Sequence, residues 1–280
     1  MHLSFGLLLA TTGEPKRGLA EVQVGLELSR ADGDTWSEAF GLGILGEAAL
    51  HAGDLDAAEG HLARALDMER ALGDEYWLAS WLSTAGDVAR CRGEHAQAES
   101  RYREALERYA GVGVQRPPAH LLRNLGYVAL QRGNTRAAAT WTADSLEQCQ
   151  LTGERQGIAE CLAAAAGVAV AQGEFDTGAR WLGAAERLLR ELDGELWVGN
   201  RPYWEATLCA AGEQLGEAGL TGARNAGASQ PLEPVVAEIL SWAPHGRGGT
   251  NRRTRPGHGQ LRAEPPSARA VTVAGQTATR

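Results

Sequence analysis

The sequence lacks the short motifs that carry most enzyme chemistry. Its single lysine, Lys16, lies in EPKRG, so no GxxxxGKS-type loop that would cradle nucleotide phosphates is present. GxSxG, HExxH and GxGxxG are also absent, so no serine nucleophile, zinc-activated water or dinucleotide site is indicated. We therefore expect a non-catalytic protein that uses no cofactor.

Cysteine and long apolar runs are also scarce. The four cysteines (Cys91, Cys149, Cys161 and Cys209) form no CxxC pair and no metal-binding spacing with the seven histidines. We expect them to be small, buried or half-buried apolar residues, with no metal site, in a reduced cytoplasmic environment. No run of about 18 apolar residues is present, so we expect no membrane-spanning helix.

Charge of one sign dominates only at the end of the chain. The 280 residues include 27 basic and 35 acidic ones, and the arginines mostly alternate with glutamates, which is typical of solvated helix faces. Residues 243–280 differ, with seven arginines, one glutamate and many Pro, Gly, Ser and Thr residues. This composition predicts a disordered Arg-rich tail. Weak contact of the tail with nucleic acid is the less favoured alternative.

What the sequence does have is a repeat of 40 residues. A small residue is followed seven residues later by Gly, and five residues after that by a second small residue. A fixed period in this range is the signature of a repeat architecture. The positions that carry the pattern are Gly46, Gly53, Ala58, Gly86, Gly93, Ala98, Gly126, Gly133, Ala138 and Gly173.

Each repeat is predicted to be two helices around a glycine turn. Leu42, Leu45 and Ala49 lie at helical spacing before Gly53, and the apolar residues after it do the same. Gly53 suits the left-handed end of a helix. Asp54 then stands where a short acidic side chain can accept backbone N–H bonds at the start of the next helix.

The glycines inside the helices predict close helix crossings. Gly86 and Gly126 each cost about 1 kcal/mol relative to alanine in a helix interior. A sequence that keeps them there needs close contact with the partner helix, where Ala98 and Ala138 are also small.

Within one unit, a small residue stands at position eight, Gly at position fifteen and Ala at positions twenty and twenty-seven. This spacing resembles the tetratricopeptide (TPR) pattern. The usual TPR unit has about 34 residues, so helices or inter-repeat turns are longer here. The period alone would also suit HEAT or armadillo repeats, but the small-residue spacing favours TPR. The resemblance implies an all-α fold, a right-handed superhelical solenoid of antiparallel helix pairs.

The repeats are followed by a segment without the pattern. A solenoid needs an atypical terminal unit to cover its last apolar face, so we expect a helical cap over 193–242. The cap is predicted to contain helices near Tyr203–Leu215 and 217–226, and a third over PLEPVVAEILSW. The TPR-like part, 1–192, is predicted to hold about five helix pairs, a degenerate first one and then 35–72, 75–111, 117–151 and 155–192.

The stretch from Trp181 to Trp242 carries a second, narrower resemblance. RWLGAAERLL, a helix ending in LGE and a closing PLEPVVAEIL are similar to the end of bacterial LuxR-type (MalT-like) and related signal-transduction ATPase regulators. The resemblance implies the TPR arm of a larger transcriptional or signalling regulator, and a start inside a weak first repeat suggests a piece of a longer protein. A stand-alone TPR adaptor is the alternative.

The TPR resemblance also implies where a partner binds. The first helix of each TPR unit lines a concave groove, where Arg123 would bind a carboxylate, Asn124 a peptide backbone and Tyr127 an apolar group. The expected occupant is a protein or peptide segment, or a small effector; an ordinary solvated face is the alternative. The predicted groove residues are Glu47, His51, Ser83, Thr84, Asp87, Arg90, Arg123, Asn124, Tyr127 and Gln131.

Overall fold

The computed structural model describes residues 2–3 and 15–243, and within that part of the chain the regular elements are helices and no strand occurs. The predicted all-α fold of paired helices is confirmed. The predicted tail lies outside the described residues apart from Ala243. The helices are α1 (Pro15–Asp32), α2 (Thr35–Ala52), α3 (Leu55–Leu72), α4 (Glu75–Cys91), α5 (His95–Gly111), α6 (Ala119–Gln131), α7 (Thr135–Thr152), α8 (Arg155–Ala171), α9 (Phe175–Glu191), α10 (Arg201–Ser229) and α11 (Leu232–Trp242).

The turns recur every 20 residues, which is half the period seen in the sequence. Glycines with φ between 70° and 84° end the helices at each step, and Asp193, with φ 50°, continues the register. Apart from the longer connection over 112–118, which precedes the shorter helix α6, the turn between repeats is therefore built like the turn within them. The extra length of the unit lies in helices of 17 or 18 residues. The glycines are Gly33, Gly53, Gly73, Gly93, Gly113, Gly133, Gly153 and Gly173.

The residue after the left-handed glycine starts the next helix. The side chains of Asp34, Asp54, Asp74 and Asn134 each accept a backbone N–H three residues on, at 3.0–3.1 Å. The capping expected of Asp54 is thus present. Each such cap contributes about 1 kcal/mol, and glycine followed by a capping residue makes a turn of two residues sufficient.

The interior glycines lie at helix crossings. A Cβ atom on Gly46 would be 2.6 Å from Leu62 Cγ, and one on Gly86 would be 2.4 Å from the Tyr102 ring. At Gly126 the nearest atom is the hydroxyl of Thr142, at 2.9 Å. Real Cβ atoms do not approach other atoms this closely, so the helices of each pair pack through the missing side chain.

Replacing Gly86 with leucine is expected to cost about 1–3 kcal/mol of unfolding free energy, because the new side chain meets the Tyr102 ring. Chemical denaturation followed by circular dichroism measures the change. The exposed substitution Glu107→Gln on α5 should change it by less than about 0.5 kcal/mol. Equal midpoints for the two variants would contradict the account of the crossing.

The core follows the stack in successive clusters, with aromatic rings between repeats. Trp77 and Trp81 stack at 5.3 Å between centroids, and Phe40 meets Trp77 edge-on at 4.6 Å. Trp181 is fully buried and contacts Trp242 edge-on at 5.1 Å. Trp77 and Trp81 therefore fill the gap between adjacent repeats, and Trp181 and Trp242 pack the last repeat against the cap.

The cap begins with α10, which is interrupted at Gly216. The backbone there is not helical, at φ 68° and ψ 168°, so 201–215 and 217–229 are two helices, as predicted. The second half of α10 crosses α9 with backbone in contact with backbone. A Cβ atom on Gly183 of α9 would lie 1.9 Å from the Arg224 carbonyl oxygen, and one on Gly227 would lie 1.8 Å from that of Arg180.

Glu69 on α3 is a buried carboxyl group that makes stability depend on pH. Trp81 donates its indole N–H to Glu69 Oε1 at 3.3 Å, while Oε2 has no hydrogen-bond partner among the described residues. Burial raises the pKa of Glu69 from 4.5 to about 7, and the Trp81 bond opposes this shift. The folded state therefore holds a proton that the unfolded chain releases near pH 4.5.

Stability is consequently expected to fall as pH rises from about 4.5 to about 7, and to level off above that range. Glu69→Gln keeps the neutral form and should remove this fall, raising the unfolding free energy at pH 8 by on the order of 3 kcal/mol. Urea titrations at pH 5 and pH 8 test this. A wild-type minus variant difference that is the same at both pH values would contradict it.

Candidate functional site

The first helices of three pairs, α2, α4 and α6, carry the predicted groove residues, but the structure buries half of these residues. His51 and Gln131 are exposed, and Glu47, Thr84 and Asp87 are half-buried. The remaining five retain 2–7% of their accessible surface: Ser83, Arg90, Arg123, Asn124 and Tyr127. Their role in binding a partner stays a prediction.

A connecting segment of the same chain covers part of the groove. Residues 195–203, here called the strap, run from the end of the repeats through the short 3₁₀ turn into α10. Within the strap, Asn200 is 1% exposed. The strap therefore lies in the position where a bound peptide was expected.

Arg90 of α4 holds the strap by its backbone and by a side chain. Its Nη1 donates to the Gly199 carbonyl oxygen and its Nη2 to Asn200 Oδ1, both at 3.0 Å. The guanidinium carbon lies 5.0–5.3 Å from the ring centroids of Tyr127, Trp197 and Tyr203. A desolvated guanidinium among aromatic faces adds cation–π attraction to the two hydrogen bonds.

Glu160 of α8 holds the strap from the opposite side. Its Oε1 accepts the backbone N–H of Trp197 at 2.7 Å, and its Oε2 accepts the Asn200 amide at 2.6 Å. Asn200 thus donates to Glu160 and accepts from Arg90, bridging a buried acid and a buried base. Charge-assisted bonds of this kind are stronger than neutral ones, so the bridge fixes the strap to two different repeats.

Asp87 of α4 connects Tyr102 of α5 with Asn124 of α6 through hydrogen bonds. Its Oδ1 accepts the Tyr102 hydroxyl and the Asn124 amide, both at 2.6 Å. Burial raises the pKa of Asp87, while Arg90, the Tyr102 bond and Arg123 lower it. The missing side chain at Gly86 lets the Tyr102 ring pass over α4, so a structural glycine also determines the geometry of the groove.

An open cleft of about 380 Å³ remains beside the strap. It lies between α2, α4, α6 and α8, and Trp197 of the strap forms one wall, edge-on to His51 at 6.4 Å between ring centroids. Its polar lining includes Glu47, His51, Asp87, Arg123, Asn124 and Glu160. The cleft therefore brings together residues from the first helices of four pairs.

The other side of the strap borders a larger, mainly apolar cavity of about 510 Å³. Its lining includes Leu50, Leu55, Cys91 and Pro202. Within the described part of the chain no three His, Cys, Asp or Glu side chains are grouped to hold a metal ion, and no helix is long and apolar enough to cross a membrane.

Sequence reasoning missed the residues that hold the strap. Glu160 was not among the predicted groove residues, although it lies on the first helix of its pair. Trp197 and Asn200 lie before the first helix predicted for the cap. The sequence signal was present in the position of Glu160, since a carboxyl group on that helix face faces the groove. The contacts of Asn200 span 40 residues to Glu160 and 110 to Arg90, which a period cannot reveal.

Comparisons with known proteins agree with this architecture. Residues 38–110 match the family model described as tetratricopeptide repeat. Among solved structures, the chain is similar to BtubC (BKLC) from P. vanneervenii, with a TM-score of 0.54 and 18% sequence identity over 86% of this chain and 98% of that one. At this identity the likeness concerns the fold alone. No curated protein matches the sequence.

The protein is thus a helical solenoid with TPR-like repeats. Repeats of this kind typically form non-catalytic scaffolds that bind proteins along an extended concave surface.

Proposed function

We propose that this chain binds an extended protein or peptide segment in its concave groove, and that it serves as the sensor or regulatory arm of a bacterial transcriptional or signalling regulator. The observation that supports binding is the strap itself. Arg90 and Glu160 bind it through the Gly199 carbonyl and the Trp197 N–H, which are groups that any peptide offers.

The strap also suggests how such an arm would transmit a signal. A partner segment that supplies an acceptor to Arg90 and a donor to Glu160 would replace the strap, and α10 would lose its attachment to α4. The ligand shifts the equilibrium only by the difference in its affinity for the strapped and released arrangements. The regulatory role rests on this coupling and on the resemblance of the cap to that of the regulators.

The predicted contact residues would then act at different stages. The Tyr127 ring packs against Tyr203 of the strap at 4.6 Å between centroids, so it meets a partner only after the strap has moved. Arg123 and Asn124 line the open cleft beside the strap, so contact with them does not require the strap to move.

A peptide with the strap sequence, ELWVGNRPY, provides the direct test of binding. The double variant Trp197→Ala/Asn200→Ala weakens the strap in the chain, and it should bind the fluorescein-labelled peptide at least ten-fold more tightly than wild type does. A peptide with alanine in place of its asparagine is the matched control. A folded double variant that does not bind ELWVGNRPY would overturn the proposal.

The regulatory part of the proposal has a separate test. Proteins captured from the native host by the wild-type chain are compared with those captured by Arg123→Ala/Asn124→Ala. A regulator that is captured by wild type and lost with the double variant is the expected result. Equal retention of every partner would reject the groove as the regulatory contact.

A further inference from the structure

The open cleft beside the strap has features of a small-molecule site. We propose that it binds a free α-amino acid, with the ligand carboxylate on Arg123 and the ligand ammonium group between Asn124, Asp87 and Glu47. The inference rests on the proposed function because the cleft is part of the same groove. The ligand, however, is a free amino acid beside the strap and not a peptide that replaces the strap.

The size of the cleft favours a metabolite. Its volume of about 380 Å³ falls at the small end of the range of about 300–1,000 Å³ found for small-molecule sites. The strap occupies the neighbouring part of the groove, and its residue Trp197 forms one wall of the cleft.

Arg123 is a buried cation whose ion pair with Glu160 is long. Its side chain is 9% exposed, and Nε and Nη1 have no hydrogen-bond partner among the described residues. The nearest carboxylate oxygen is Glu160 Oε2 at 4.0 Å, and both oxygens of Glu160 already accept shorter bonds from the strap. A buried guanidinium with unused N–H donors can hydrogen-bond a ligand carboxylate.

Within the described part of the chain, Asn124, the next residue on α6, has an oxygen without a hydrogen-bond donor, whereas Arg123 has N–H groups without acceptors. Its Nδ2 donates to Asp87 Oδ1 at 2.6 Å, which identifies Oδ1 of Asn124 as the amide oxygen, and that oxygen has no donor among the described residues. An unsatisfied buried acceptor costs about 1–3 kcal/mol. A ligand N–H group would satisfy it.

The acidic side chains of Glu47 and Asp87 favour a cationic ligand donor. Glu47 makes no ion pair within the described part of the chain, and burial raises its pKa, opposed by His51. Glu47 raises and Arg123 lowers the pKa of Asp87, so the three groups share one electrostatic environment. A simple anion would meet Glu47 and Asp87, and a simple cation would offer Arg123 no acceptor. A zwitterion offers a carboxylate to Arg123 and an ammonium group to Glu47 and Asp87.

The remaining lining selects the side chain of the amino acid. Leu50 and Trp197 provide apolar surface at the cleft. Amino acids with an apolar side chain should therefore bind more tightly than glycine. The free atoms of Arg123 and Asn124 are shielded in the empty cleft, so a small rotation of each side chain accompanies binding.

The probe is L-leucine, titrated into the 280-residue chain at pH 7 by isothermal calorimetry. Its matched controls are 4-methylpentanoate, which lacks the amine, and 3-methylbutylamine, which lacks the carboxylate. Leucine should bind saturably, and each control should bind at least ten-fold more weakly. Absence of leucine binding at 10 mM, or equal binding of either control, would overturn the inference.

Variants then place the ligand. Arg123→Gln and Glu47→Gln should each weaken leucine binding at least ten-fold, whereas Arg136→Gln, at an exposed guanidinium on α7, should leave it unchanged. Glu47 is half-buried, so its variant keeps the test valid if Arg123→Gln fails to fold. Unchanged affinity in a folded Glu47→Gln chain would overturn the assignment. Binding of ELWVGNRPY by the strap variant without leucine binding would reject this inference and leave the proposed function standing.

Discussion

Arg90→Met should release the strap and lower the unfolding free energy more than any other substitution in the groove. It leaves the Gly199 carbonyl and Asn200 Oδ1 without donors in a buried setting, and each orphaned acceptor costs about 1–3 kcal/mol. The cation among Tyr127, Trp197 and Tyr203 is also lost. Denaturant titration measures the stability, and hydrogen exchange of residues 197–203 measures the release.

The matched control for this variant is Arg136→Met, an exposed arginine on α7. It should change the stability by less than about 0.5 kcal/mol and leave exchange in the strap as in wild type. Full protection of the Gly199 and Asn200 amides in Arg90→Met would show that Glu160 alone fixes the strap, and the account of Arg90 would then be wrong.

Gly183→Ala is expected to lower the unfolding free energy by about 3 kcal/mol, the upper end for an overpacked site. The added methyl would lie 1.9 Å from the Arg224 carbonyl oxygen. A side chain could rotate away from such a contact, but a helix backbone cannot, so α9 and α10 must separate. Gly227→Ala should have a similar effect, because its methyl would lie 1.8 Å from the Arg180 carbonyl oxygen.

Gly60→Ala on α3 is the control with the same chemical change. A Cβ atom there meets nothing within 4 Å. Alanine should therefore stabilise the helix by about 0.5–1 kcal/mol. Thermal melts of the three variants would contradict the crossing account if Gly183→Ala and Gly60→Ala shifted the midpoint in the same direction.

The repeat architecture could be predicted because residues close together in the sequence determine it. A left-handed glycine followed by a capping residue, as at Gly53 and Asp54, has one structural meaning wherever it occurs. The glycines inside helices likewise carry a conformational cost that only close packing offsets. The shorter step of 20 residues was missed because the turns between repeats lack the small-residue positions that drew attention to the others.

The groove was harder to predict because burial there depends on a distant segment. The face of α6 that carries Arg123, Asn124 and Tyr127 was expected to be solvated or to meet a partner. The strap instead covers part of it, and nothing in the periodicity of α6 indicates contact with residues some 75 positions later. Predicted contacts with a partner at these positions stay predictions.

The bridge from Arg90 to Asn200 has a consequence for how the chain folds. In a linear stack each repeat contacts only its neighbours, so terminal repeats can unfold independently and folding can spread from any point. The bridge closes a loop of 110 residues between α4 and the start of α10. Closing such a loop has an entropic cost and comes after the intervening pairs have formed. We therefore expect α4 to α10 to unfold as one cooperative unit, with α1 as the part of the described chain that opens first under force.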